Sequence, residues 1–152
     1  MKKDEIHMRK AFKEAECASE EDEVPVGAVI VHEGKIIAKA HNQVERLCDP
    51  TAHAEIIAIT QAATYLKSKW LQNCTLYVTI EPCSMCAGAL VLSRIKRVVF
   101  GAFDPKTGAF GSQVDINKFK LNHKIKVKKG VLESDCGQLI STFFKNKRKK
   151  KV

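Results

Sequence analysis

A chain of 152 residues, 45% hydrophobic and 28% charged, has the size and balance of one globular domain that buries a core without staples. No apolar run approaches the length of a bilayer span, and Met1 to Lys10 lacks the apolar stretch of a signal peptide, so a soluble, cytoplasmic protein is expected. Twenty-six Lys and Arg against 17 Asp and Glu leave a net charge of +9, which suggests a polyanionic partner, nucleic acid being the commonest, over simple solubility charge.

Met8, Ala11, Phe12 and Ala15 fall at i, i+3, i+4 and i+7 and mark the apolar face of a helix over about 4–20. Beyond Pro25, the stretch Val26 to Val31 is nearly all apolar and reads as a buried strand. Glu33-Gly34 turns the chain, and Lys35 to His41 returns as the second strand of a hairpin. A loop rich in turn residues follows, Asn42 to Pro50, and Thr51 is placed as the N-cap of a helix from about Ala52 to Leu66. Thr75 to Ile80, β-branched and aromatic, forms a third strand, with Trp70 as hydrophobic cover near it.

Pro82 stands where helices begin, because its missing N–H would be unpaired there anyway, and a helix is expected through about Ser93. Arg97 to Phe100 is a short fourth strand. Ala102 to Gln113, with Pro105, Gly108 and Gly111, is a long irregular loop, and Ile125 and Val127 mark a fifth short strand. Cys136, Leu139, Ile140 and Phe143 again show helical spacing. The chain therefore closes with an amphipathic helix running into a basic tail at about 145–152, where Lys145 to Lys151 holds six basic residues among seven. With no repeat, linker or break in composition before that tail, residues 1–152 read as a single domain. Helices alternating with buried strands argue for a three-layer α/β arrangement.

The residues that carry chemistry lie in two pieces, Thr51-Ala52-His53-Ala54-Glu55 and Glu81-Pro82-Cys83-Ser84-Met85-Cys86. Zinc takes imidazole nitrogen and thiolate sulfur, and a catalytic site keeps three protein ligands so that a fourth position stays open. Cys83 and Cys86, in a first helical turn, can aim both sulfurs at one point, and His53 can supply the third ligand from the start of the preceding helix. Partial positive charge at the two helix starts favours thiolate. Glu55, two residues beyond His53, can reach a bound water without binding the metal and can act as general acid/base. This is the H-x-E followed by P-C-x-x-C signature of the zinc nucleobase deaminases.

A lone C-x-x-C also suits a redox pair or half of a closed structural zinc site. The redox reading leaves His53 and Glu55 without a role. A closed site needs a fourth ligand, and neither Cys74 nor Cys136 has a paired spacing. Cys17, Cys48, Cys74 and Cys136 read as buried thiols, and His7, His32, His41 and His123 have no partner spacing.

The segments Pro25 to Val29, Asp49 to Ile56, Tyr77 to Ala89 and Gly101 to Gly108 resemble the bacterial tRNA-specific adenosine deaminases, and the likeness runs from the first helix to Phe143-Phe144. The resemblance implies a three-layer α/β/α, cytidine-deaminase-like fold with a five-stranded mixed central sheet. It also implies a homodimer with one Zn2+ per subunit, and conversion of adenosine to inosine at the wobble position of a tRNA anticodon, with release of ammonia.

Carried over by position, His53, Cys83 and Cys86 would bind the zinc and Glu55 would move the proton. Asn42 and Ala54 would contact the flipped-out nucleoside, Asp104 and Lys106 the anticodon loop, and Phe144 with the basic residues after it would flank the RNA. Cys48 stands where the family often has His, and the tail is short and lysine-rich. Two other functions share parts of this pattern: a deaminase of free bases or nucleosides, and a nucleic-acid-binding module with structural zinc. The first gives no reason for the +9 charge, and the second leaves Glu55 unexplained.

Overall fold

The apolar stripe of Met8, Ala11 and Ala15 is fully buried on one side of α1 (Lys2–Glu20), the first element of a computed structural model that describes residues 2–150. The hairpin β1 (Gly27–His32) and β2 (Lys35–His41) follows, then a short helix α2 (Val44–Leu47), α3 (Ala54–Leu66), β3 (Cys74–Ile80) and α4 (Ser84–Leu92). β4 (Arg97–Ala102), a 3-10 turn (Ile116–Lys118), β5 (Lys126–Lys129) and α5 (Glu133–Lys150) complete the order. The strands form one sheet in the order β2-β1-β3-β4-β5. β1 runs antiparallel to both of its neighbours, whereas β3, β4 and β5 are mutually parallel. A parallel step needs a crossover, and α4 makes it between β3 and β4.

Both faces of this sheet are covered, which is why its inner strands read as unbroken apolar runs. Ala28, Ile30, Leu76, Val78, Val98 and Phe100 point to one side, where they pack with Ala58 and Ala62 of α3 and Leu90 of α4. Val29, Val31, Tyr77 and Val99 point to the other, against Met8 and Ala11 of α1 and Cys136 of α5. Gly27 is required where α1 crosses β1, since a Cβ there would lie 2.0 Å from the Ala11 carbonyl oxygen.

Asp4 ties the second layer together. Its carboxylate accepts from Tyr77 Oη (2.7 Å), Arg97 Nη1 and Nη2 (3.0 and 2.7 Å) and Lys128 Nζ (2.9 Å), so α1 is joined to β3, β4 and β5 at once. The Arg97 guanidinium, with Lys128 and Tyr77, holds the Asp4 carboxyl well below its ordinary value.

Several expectations need correction. Helix α3 begins at Ala54 with His53 as its N-cap, not at Ala52 behind Thr51. Thr51 is occupied in a turn: its N–H and hydroxyl both donate to Asp49 Oδ1 (2.8 and 2.7 Å). Pro82 stands one residue before the N-cap of α4, which is Cys83. The loop at 42–50 contains α2, closed by Cys48 in the left-handed conformation (φ 51°). The basic tail is the final turns of α5 as far as Lys150; its residues 151 and 152 lie outside the described residues. Cys74 and Cys136 are buried as expected, but Cys17 and Cys48 are exposed, and Trp70 is 45% exposed and not a closed cover.

Candidate active site

Helices α3 and α4 start side by side, and the residues that cap them are the ligand candidates. His53 (φ −76°, ψ 153°) and Cys83 (φ −75°, ψ 176°) are both extended N-caps without a side-chain capping bond. Their side chains are therefore free to turn toward each other, and Cys86 projects to the same point from the first turn of α4. His53 Nδ1 lies 3.7 Å from Cys83 Sγ and 3.5 Å from Cys86 Sγ. The three donor atoms lie within 4.8 Å of one another, a group that could hold a metal ion. Cys86 is buried, and His53 and Cys83 are half-buried.

The cluster's electrostatics favour thiolate at Cys83 and the protonated thiol at Cys86. A hydrogen bond from Cys86, with another from His53, draws the Cys83 thiol down to about 4. Cys86, donating to Cys83, is pushed up, and His53 is raised chiefly by its bond to Cys83. Glu55, on the first turn of α3 and 3% exposed, is pushed up by burial to about 7.

His53, Cys83 and the buried Glu55 line a cavity of about 630 Å³ and form its floor, with Cys86 buried behind them. Asn42, Val26, Asp104 and Thr107 join them in the lining. Phe143, Phe144, Lys147 and Arg148 of α5 bring the basic end of the chain to its mouth. Phe143 is buried while Phe144 is 43% exposed. Lys147 is held above the Phe143 ring (5.7 Å) and paired with Asp22 across the mouth (3.0 Å).

The remaining candidates are less alike than their grouping suggests. Asn42 is buried, and its Oδ1 accepts from Ala54 N (2.8 Å), so it caps α3 from a distance and leaves its amide NH2 on the cavity side. Ala54 is fully buried and takes part through that backbone N–H. Asp104 accepts from Lys106 N, Thr107 N and Thr107 Oγ1 (3.0, 3.2 and 2.7 Å), so its carboxylate shapes its own loop. Lys106 is exposed and lies outside the cavity lining.

Two of the further carboxylates that line the cavity are buried, Glu23 and Glu81, and neither is a site candidate from the sequence. Glu23 belongs to the acidic run Glu20 to Glu23, yet it is 1% exposed and accepts from Glu45 N (3.0 Å) and Arg46 N (2.8 Å) at the start of α2. Glu81 is also 1% exposed. The available signal was an acid set between Ile80 and Pro82 at the end of a buried strand.

Comparison with known proteins adds to this geometry. A family model described as MafB19-like deaminase matches residues 1–148. The chain is 51% identical over 152 residues to the tRNA-specific adenosine deaminase of Bacillus subtilis (strain 168), covering 99% of this chain and 94% of that one. It is 52% identical over 145 residues to the tRNA-specific adenosine deaminase of Aquifex aeolicus (strain VF5), covering 95% of each. A solved structure from work on A-to-I editing by tRNA:A34 deaminases at the wobble position superposes with a TM-score of 0.86 at 43% identity, over 88% of this chain and 98% of that one. A guanine deaminase from Bacillus subtilis matches less well, with a TM-score of 0.63 at 32% identity over 78% of this chain and 86% of that one.

Proposed function

The chain belongs to the tRNA-specific adenosine deaminases and has their cytidine-deaminase-like fold, and from that premise we propose that it converts adenosine to inosine at the wobble position of a tRNA anticodon by zinc-dependent hydrolysis. The observation that carries the chemistry is the meeting of His53 Nδ1 with the Cys83 and Cys86 sulfurs beside a buried Glu55. One imidazole nitrogen and two thiolates are the donor set of a catalytic zinc, and three ligands leave a position open. Zinc held there, one per subunit, supplies Lewis acidity and lowers the pKa of water toward about 7.

The rest falls to the chain's own residues. In the overall reaction water adds at C6 of adenine, the C6–N6 bond breaks, and ammonia leaves. Glu55 takes the proton from water and returns it to the purine, a task suited to a carboxyl whose burial sets it at about 7. Asn42, fixed by the Ala54 N–H, offers its amide NH2 to the nucleoside. Phe144 gives a splayed loop base a surface to stack on, Asp104 and Lys106 contact the anticodon loop, and the basic end of α5 meets phosphates.

A loop base is already unpaired, which lowers the cost of extruding it into the cavity. The +9 charge supports RNA as substrate, since a small neutral nucleoside gives no use for it. No helix among the described residues is long and apolar enough to cross a membrane. A single deaminase domain, acting as a homodimer in the cytoplasm, completes the reading.

The test is incubation of the protein with unmodified tRNAs, followed by mapping of A-to-I changes. Inosine at the wobble position alone is expected. Efficient turnover of free cytidine, cytosine or guanine with tRNA untouched would sink the reading.

A further inference from the structure

Three carboxylates are buried around one cavity, and their partners separate them. Glu55 accepts no hydrogen bond from another residue's backbone among the described residues. Glu23 takes two backbone N–H groups of α2. Glu81 is the most heavily engaged. Its Oε1 accepts from Asp104 N (3.0 Å) and from Ser112 Oγ, and its Oε2 accepts from Phe110 N (3.0 Å) and Ser112 N (3.1 Å).

The loop is wrapped closely round this group. A Cβ on Gly108 would lie 2.3 Å from Glu81 Cδ, so only glycine lets the backbone pass. The neighbouring backbone docks as well: Ala109 N donates to Pro82 O (2.9 Å), and Cys83 forms a bridge with Gly108.

We propose that Glu81 is a positioning residue that seats the loop 104–112 on the turn bearing Cys83, and that it carries no proton in the reaction. This rests on the deaminase reading above for the loop's contact with RNA. The segment has no helix or strand of its own to place Asp104 and Thr107 beside the floor. A buried carboxylate with all its acceptor positions directed at one loop does this instead, since leaving those N–H groups unpaired in the interior is costly. The arrangement couples the ligand turn to the RNA-facing wall through one side chain.

Glu81→Gln is the discriminating variant. The amide keeps the shape but has one acceptor oxygen. With that oxygen toward Phe110 N and Ser112 N, its NH2 meets the Asp104 N–H, and donor faces donor. Hydrogen exchange without RNA is expected to speed by about tenfold or more across 104–112 while the amides of α4 stay as they were. With RNA, KM for an anticodon stem-loop is expected to rise about tenfold while kcat stays within about threefold. Ser112→Ala removes only the hydroxyl and should move both readouts less in the same direction, which keeps the test alive if Glu81→Gln folds poorly.

Unchanged exchange in 104–112, or a fall in kcat of about a hundredfold with KM constant, would overturn the proposal. Should the wild-type protein leave tRNA untouched, the functional reading fails, and the exchange result still decides what Glu81 does.

Discussion

His53 and Cys83 reach the floor of the cavity as N-caps of two neighbouring helices, whereas Asp104, Phe144 and Arg148 reach its mouth from segments with no such common guide. On the floor, the backbone conformation that starts a helix also aims the side chain. At the mouth, position comes from distant partners: Glu81 for the 104–112 loop, Glu23 for α2, and the Asp22–Lys147 pair for the end of α5. The floor is at least half-buried and its groups are hydrogen-bonded to one another, so single atoms matter there. At the mouth Phe144 and Arg148 are exposed, and charges there act by screened attraction.

The largest effect should follow from removing the proton carrier on the floor. Glu55→Gln is expected to lower kcat on tRNA by about 10²–10⁴, the range of a positioned general acid/base, with the bound metal retained. Metal content measured beside single-turnover rates checks this. A variant with full metal and wild-type rate would remove Glu55 from the chemistry.

The same contrast explains what could be read from the residues alone. His53, Glu55, Cys83 and Cys86 lie within two short segments, and local rules of helix starts and ligand type were enough to group them. The five strands and all four of the longer helices were likewise visible, the inner strands because the sheet is buried on both faces and the helices from their apolar spacing and starts; only the one-turn α2 was not. Glu81 and Glu23 could not be understood that way, since the partners of Glu81 are 23 to 31 residues away in a loop without periodicity and those of Glu23 are 22 to 23 residues away in the one-turn helix α2. Thr51 misled for a related reason: Asp49 engages it locally, while the cap of α3 comes from Asn42, twelve residues upstream of Ala54. The parallel pairing of β4 with β5 also follows from tertiary packing, which a four-residue lysine-rich strand does not announce.

A second test asks whether the scaffold behind the floor can be weakened without touching the mouth. Asp4 joins three strands to α1 through Arg97, Lys128 and Tyr77, and Asp4→Asn should cost about 1.5–3 kcal/mol in urea unfolding, as for hydrogen bonds to a charged group. Because the folded carboxyl sits below its ordinary value of 3.8, its contribution is complete above that value and is lost as pH falls below it. The wild-type protein should therefore lose stability in acid more steeply than Asp4→Asn. Equal acid profiles would show that the network does not contribute through the charge of Asp4. The salt dependence of RNA binding should be the same in both.

The smallest effects should come from the mouth, and they should appear in exactly the property that Asp4 leaves alone, the salt dependence. Arg148 makes no ion pair among the described residues and lines the cavity, whereas Lys147 is already paired with Asp22 and stacked on Phe143. Arg148→Gln should therefore weaken RNA binding several-fold and reduce the slope of log K against log salt by about 0.7, one phosphate contact to a single strand. Lys147→Gln should do less, because RNA must first draw the ammonium from a carboxylate. Asp22→Asn removes that competitor, and RNA should bind it about two- to threefold more tightly at low salt, within the range of an exposed ion pair. Fluorescence anisotropy with an anticodon stem-loop across a salt series reads all three. Weaker binding by Asp22→Asn would mean that the pair's chief role is to hold α5 in place over the cavity. The end of α5 would then belong with the fixed floor and not with the exchangeable charges of the mouth.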